Sequence, residues 1–220
     1  MALRYQDKIR NAAQDRGVRW LLHFTPIPNL ASIVERGLLS RSLLQEAQQL
    51  FYTSSEHRLD VNRDAISVSV SAINHFMFLE KRRASQRADW VVLILSSSII
   101  WTHDCIFNAR NAAKKEMYER RSFVCGPWAF EAMFQDSSSQ PGYRAEHDLP
   151  LCLPTFPDAE VQVLEPIHPS NILEAWVSDE AFQPVVRKEL DRLTALDGKQ
   201  RNIVVEDFSP RLRIGSAAWG

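Results

Sequence analysis

Residues 20–41, WLLHFTPIPNLASIVERGLLSR, constrain the fold more tightly than any other part of the chain. They open on Trp20-Leu21-Leu22, an apolar run too short for a core helix and bounded as a buried strand is. His23 and Thr25 stand two apart, so on a strand both point to one face. Pro26 and Pro28 stop the strand, and Asn29 can cap a new helix. Leu30, Ile33 and Val34 give that helix one apolar stripe, and Gly37 can take the left-handed position that ends it. A strand end bearing His and Thr then faces a helix start, a geometry suited to holding a polar ligand.

The rest of the chain reads as alternating helices and strands. Residues 5–13 form a polar helix, and 41–51 a second one with Leu43, Leu44, Ala47 and Leu50 on its buried side. Residues 53–64 are polar and aperiodic, a loop. In 65–71, AISVSVS, Ile66, Val68 and Val70 share one strand face and Ser67, Ser69 and Ser71 the other. A helix follows over 75–81, then a central strand over 90–95, WVVLIL. Ser97 and Ser98 begin a turn or short helix that ends near His103. FNARNAA, residues 107–113, reads as a turn, and 122–134 as a segment with Trp128, Phe130 and Phe134 at helical spacing. That stripe serves either as core or as a base-stacking platform.

Residues 137–148, with Pro141 and Gly142, read as a long mobile loop. Residues 159–164 alternate, Glu160 and Gln162 with Leu164 on one face and Ala159, Val161 and Val163 on the other. A strand over 173–177, a cap at Ser178, a helix over 184–196 before Gly198 and a closing strand over 202–205 complete the chain.

Composition narrows the class. At 220 residues, 45% hydrophobic and 24% charged, the chain has the makeup of one globular domain spanning 1–220. No apolar run approaches bilayer length and the N-terminus lacks a signal-peptide apolar region, so no membrane role is expected. Cys105, Cys125 and Cys152 form no C-x-x-C pair, which argues against a disulfide framework or zinc site and for a reducing cytoplasm. His103 with Cys105 could supply two metal ligands, but no second pair accompanies them. There is no G-x-G-x-x-G and there are only 7 glycines, which argues against a Rossmann dehydrogenase. Net charge is −1, so any nucleic acid must be gathered by local clusters. Those are Lys81, Arg82, Arg83 and Arg87, then Arg110, Lys114, Lys115, Arg120 and Arg121; each also reads as a solvated helix face.

His23, Thr25, Asn29 and Gly37, with Leu30 and Leu38 as apolar companions, resemble the opening of the DarT-like ADP-ribosyltransferases. These are toxins that transfer ADP-ribose from NAD to a nucleobase. PDAEVQVLEPIHPSNI, residues 157–172, resembles their C-terminal block, in which an A-E-V strand carries the catalytic glutamate. A turn of I-P-x-x-x-I type follows it, matched by Ile167, Pro169 and Ile172. FNARNAA resembles a further block, F-x-x-x-N-A-A, with Asn111 as its match. The family's aromatic strand before a P-R pair is replaced here by AISVSVSAINHFMF, residues 65–78.

The resemblance implies an α+β, ADP-ribosyltransferase-like fold: two facing β-sheets forming an NAD cleft, with peripheral helices. It makes Glu160 the catalytic carboxylate and assigns NAD contacts to His23, Phe24, Thr25, Asn29, Gly37 and an arginine of the 53–64 loop. That arginine is Arg58 or Arg63, with Arg58 preferred, and the resemblance places it beside Glu160 as a catalytic residue as well as on the NAD phosphates. Asn111, Lys114 and Lys115 fall on the acceptor side. NAD is then a co-substrate, and no metal is needed.

The chemistry is coherent with that assignment. Cleaving the nicotinamide–ribose bond builds positive charge on the ribose, which a carboxylate stabilises, and the nicotinamide leaves neutral. The expected acceptor is a base of single-stranded DNA, because a duplex hides the base edges. RNA or protein is the alternative acceptor, and a non-enzymatic nucleic-acid-binding module the alternative class. A cognate antitoxin is the expected partner in a toxin–antitoxin or phage-defence system, the chain being otherwise monomeric.

Overall fold

The computed structural model describes residues 4–47, 64–86, 89–112, 125–206 and 208. Helix α1 (Tyr5–Asp15) leads into β1 (Trp20–Pro26), a 3-10 turn (Ile27–Asn29), α2 (Leu30–Arg36) and α3 (Arg41–Glu46). Then come β2 (Ile66–Val70), α4 (His75–Ser85), β3 (Trp90–Ser96), α5 (Ile99–Thr102) and β4 (Cys105–Asn108). The C-terminal part holds α6 (Pro127–Ala132), α7 (Tyr143–Glu146), β5 (Glu160–Val163), β6 (Ile172–Val177), α8 (Gln183–Asp197) and β7 (Asn202–Val205). Among the described residues the strands hydrogen-bond in the order β4-β5-β2-β1-β3-β6-β7. Only β6 and β7 run parallel.

The expected pair of sheets is present as two halves of this one order, β4-β5-β2 and β1-β3-β6-β7. They are joined at Leu21↔Val70 and Leu22↔Ser69, with Ser71 N–H donating to the Trp20 carbonyl just beyond. From His23 onward the register partners of β1 all lie on β3. The strand order therefore splits at His23, the residue after the last β1–β2 pair.

Side chains alternate across the strands and sort into two layers. Leu21, Val68, Val161, Phe107, Leu93 and Ala175 enter one core, which α1, α2, α6 and α8 cover with Ile9, Leu30, Ile33, Phe130, Val186 and Leu190. The opposite face carries a second, smaller core of Leu22, Trp90, Val92, Ile94 and Trp176, closed by Phe78 from α4 and by Phe208. Phe78 meets Phe24, Trp90 and Phe208 with ring centroids 5.0, 5.6 and 5.1 Å apart. Tilted and edge-on aromatic contacts of this kind add to the area they bury.

Several local readings change in the fold. Asn29 does not cap α2: the 3-10 turn runs straight into the helix, so Asn29 is itself helical (φ −76°, ψ −16°) and its side chain makes no capping hydrogen bond. Asp179, not Ser178, caps the turn before α8, accepting from Ala181 N–H at 2.8 Å. Residues 137–148 are not a bare loop. Asp136 accepts from the Gly142 and Arg144 N–H groups at 3.0 Å each, and α7 forms behind them. Arg144 then spans to the carbonyls of Pro150 and Leu153 and to Thr155 Oγ1. The expected aromatic stripe divides, with Phe130 and Phe134 in the core and Trp128 82% exposed. The end of the second predicted helix and most of the 53–64 loop lie outside the described residues.

Candidate active site

Glu160 opens β5 and is 9% exposed. It pairs across the strands with Asn108, Gln162 pairs with Ser67 and with Ile106, and one residue further along the β2–β5 register Ser69 stands opposite Glu160. Antiparallel partners share a face. Asn108, Glu160, Ser69, Gln162 and Ser67 therefore form one polar surface across β4, β5 and β2. All but Ser67 are buried. The reverse face of the same strands is wholly apolar, with Phe107, Val161, Val163, Ile66 and Val68.

Burying this many polar groups on one face is costly unless they have partners or a task. Asn108 is 3% exposed, and its amide nitrogen Nδ2 has no acceptor among the described residues. Sequence reading placed Asn108 in a turn. It instead ends β4, whose pairing with β5 on one side and bridge from Ile106 to Cys125 are long-range events. The signal that could have found it is an amide directly after Cys-Ile-Phe, on the face opposite Phe107.

His23 sits where the sheet halves part. Its Nδ1 lies 3.0 Å from the Ser67 carbonyl oxygen, so the ring bridges β1 and β2 at the point where backbone pairing has stopped. Alternation puts His23 and Thr25 on the side of Leu21 and Glu160 on the side of Leu22. The connection between His23 and Glu160 accordingly runs through β2, from the Ser67 carbonyl to the Ser67–Gln162 pair. Phe24 faces the second core, with its ring 6.1 Å from that of Trp90. Thr25 is buried, and its Oγ1 accepts from Asn29 Nδ2 at 2.9 Å. Asn29 thus holds the end of β1 to the turn behind it.

Gly37 has a firm packing reason. Its φ is +88°, and a Cβ there would stand 2.3 Å from the Ile167 carbonyl oxygen. Next to it Leu38 and Ile167 exchange backbone hydrogen bonds of 2.9 and 3.0 Å. With ψ of −178° the residue is extended with positive φ and not left-handed helical, a conformation in effect restricted to glycine. The end of α2 is thereby laced to the turn that follows β5, so the two outer sequence blocks meet in space.

Asn111 lies beside β5 as well. Its N–H donates to Asp158 at 3.3 Å, and Arg110 Nε donates to the same carboxylate at 2.8 Å, its guanidinium 4.2 Å from the Phe156 ring centroid. The segment after β4 is thus clamped to the segment before Glu160. Arg110, expected in a basic cluster, is thus held by Asp158 through its Nε. Arg82 is likewise engaged, over the rings of Phe78 and Phe208. Arg58, Arg63, Arg87, Lys114, Lys115, Arg120 and Arg121 lie outside the described residues.

Other chemistries find less support. Burial, with Asp104 and Glu165 nearby, pushes the Cys105 thiol up to about 12, so it is no nucleophile at neutral pH. Among the described residues no three His, Cys, Asp or Glu side chains converge to hold a metal ion. No described helix is long and apolar enough to cross a membrane.

The fold is shared with solved structures of known proteins. Thermus sp. 2.9 DarT in complex with carba-NAD+ superposes with a TM-score of 0.55 at 14% identity, covering 86% of this chain and 96% of that one. The same protein in complex with ADP-ribosylated ssDNA gives 0.52 at 14% identity, covering 87% and 95%. Thermosipho africanus DarTG in complex with ADP-ribose gives 0.53 at 15% identity and covers 86% of this chain, which spans only 50% of that one. At such identities these likenesses speak for the fold. No curated protein sequence matches the chain. The family model described as "ssDNA thymidine ADP-ribosyltransferase, DarT" matches residues 22–206, most of the sequence, and the chain belongs to the DarT family.

Proposed function

We propose that this chain transfers ADP-ribose from NAD to a thymidine base of single-stranded DNA, with Glu160 as the catalytic carboxylate. The observation that carries the reading is the buried carboxylate at the centre of a polar row, beside a strand split bridged by His23. The family description and the NAD+, carba-NAD+ and ADP-ribosylated ssDNA held by the Thermus DarT structures support the choice of substrates.

In the reaction the bond between nicotinamide and the ribose C1′ breaks and its electron pair leaves with neutral nicotinamide. The carboxylate of Glu160 balances the positive charge that grows on the ribose, and a base nitrogen attacks C1′, its N–H proton passing to solvent. An ionised oxygen inside a site poor in water acts more strongly on that charge than it would in solution. His23, Phe24, Thr25, Asn29 and Gly37 form the NAD side, His23 and Thr25 by contact and Gly37 by setting the end of α2. Arg58 supplies the planar fork for the NAD phosphates. Asn111, Lys114 and Lys115 belong to the acceptor side. The protein works in the cytoplasm as the toxin of a toxin–antitoxin pair, restrained by a cognate antitoxin.

The test is incubation with labelled NAD and, separately, single-stranded DNA, duplex DNA, RNA and total protein. Label is expected in thymidine-containing single strands, and Glu160→Gln is expected to reduce it by about 100-fold or more. Label on RNA or protein alone would reassign the acceptor, and undiminished transfer by Glu160→Gln would remove Glu160 from the chemistry.

A further inference from the structure

We propose that Asn108 reads the acceptor base, its Nδ2–H donating to a thymine carbonyl oxygen; the inference rests on ADP-ribosyl transfer at Glu160. The motive is a buried amide: Asn108 is 3% exposed, and its Nδ2 donor has no acceptor among the described residues. A stranded buried donor costs about 1–3 kcal/mol, and native proteins rarely keep one without a use. Nothing in the local packing calls for an amide. The preceding Phe107 fills the opposite core, its ring centroid 5.5 Å from that of Phe130, and the following residues are fastened to Asp158. Asn108 is thus fixed in place with its donor unspent among the described residues.

Position indicates which substrate receives it. Across the sheet the order is β1, β2, β5, β4, so Asn108 stands beyond Glu160 as seen from His23. Directly opposed residues of paired strands lie about 5 Å apart. With the nicotinamide end of NAD entering at the β1–β2 split, the group attacking C1′ arrives from the other side of the carboxylate along the strand order, where Asn108 is. Thymine presents carbonyl oxygens on its edges, whereas cytosine carries an amino group in place of O4. A fixed N–H donor aimed at this position donates to thymine O4 and is repelled by the cytosine amino group, whereas O2 is common to both bases. Sites built on such a hydrogen bond discriminate well, because the wrong partner leaves both groups unpaired.

The experiment uses the full chain and two single-stranded oligonucleotides that differ only by deoxycytidine in place of thymidine. Transfer from labelled NAD, NAD affinity by direct titration, and melting temperature are measured for wild type, Asn108→Ala and Asn108→Asp. Wild-type labelling of the thymidine strand checks the underlying reading, and the variants test only the base contact. Asn108→Ala is expected to lower kcat/KM for thymidine DNA by roughly 10–100-fold, the loss of one discriminating hydrogen bond. NAD affinity should stay within about twofold and the melting temperature should not fall, since a stranded donor has been removed. Asn108→Asp, which turns donor into acceptor, should lose thymidine transfer further and narrow the gap to the cytidine strand. Unchanged transfer by Asn108→Ala overturns the proposal. So does a parallel loss of NAD affinity and melting temperature, which would make Asn108 a structural amide.

Discussion

Two halves of one sheet face have been put to different uses. Under α4, the face of β1, β3 and β6 is filled by Leu22, Trp90, Val92, Ile94 and Trp176. A few strands away, across the split at His23, the same face of β2, β5 and β4 carries Ser67, Ser69, Gln162, Glu160 and Asn108. Both halves rest on the same continuous apolar core behind. The fold is therefore stabilised from one side throughout, which leaves the other side free in one half to hold costly polar groups.

The comparison can be broken from either half. The largest effect is expected in the apolar one: Phe78→Ala, which empties the aromatic cluster, should cost about 3–5 kcal/mol in urea unfolding. A loss below about 1 kcal/mol would mean that α4 is dispensable to the sheet. In the polar half Glu160→Gln should remove at least ~2.7 kcal/mol of transition-state stabilisation, read from kcat/KM with labelled NAD. Its unfolding midpoint should move far less than that of Phe78→Ala, and an equal shift would make Glu160 a structural carboxylate.

Gly37→Ala tests the lacing between the halves. The new Cβ would overlap the Ile167 carbonyl, so strain on the order of 1–3 kcal/mol is expected, with a fall in both melting temperature and NAD affinity. Full retention of both would show that the α2 end can shift freely.

The smallest effect concerns a polar pair placed outside the candidate site. Arg201, 2% exposed, donates to Asp197 and to the Ile172 carbonyl, and the hydrogen bond from Arg201 holds the Asp197 carboxyl down at about 2. The unfolded chain has it near 3.9. Its stabilisation is present above about pH 4 and is lost as pH falls toward 2, because the unfolded state then binds the proton more readily. Asp197→Asn should flatten the acid limb of the stability curve while leaving activity at neutral pH unchanged. An unaltered acid limb would assign that loss to other carboxylates.

Much of the scaffold could be read from local pattern. The strand starting at Trp20, the continuous apolar run from Trp90, the helix before Gly198 and the closing strand over 202–205 all appear where periodicity puts them. Each carries its own signal, a run or an alternation long enough to exclude the alternatives. The failures share a cause. β4 spans four residues with one alternation, so CIFN becomes a strand only because β5 offers it an edge. Asn29 is a good capping residue by type, but the preceding 3-10 turn fixes its backbone and Thr25 takes its amide. Residues 137–148 look like a loop until Arg144 is seen reaching the 150–155 backbone.

The candidate site divides in the same way. Alternation put Glu160, Gln162 and the serines of β2 on strand faces. The resemblance of the A-E-V block and of His23 and Thr25 to family blocks singled out Glu160 and the end of β1, because these are properties of contiguous residues. What the sequence could not order is the row itself. Asn108, Glu160 and Ser69 are separated by dozens of residues and become neighbours only through two strand registers. A shift of one residue in either register would turn the polar set onto the other face. That choice is made collectively by the apolar core behind the sheet. Its burial is worth about 25 cal/mol per Å² of apolar surface, and only this register covers all of it.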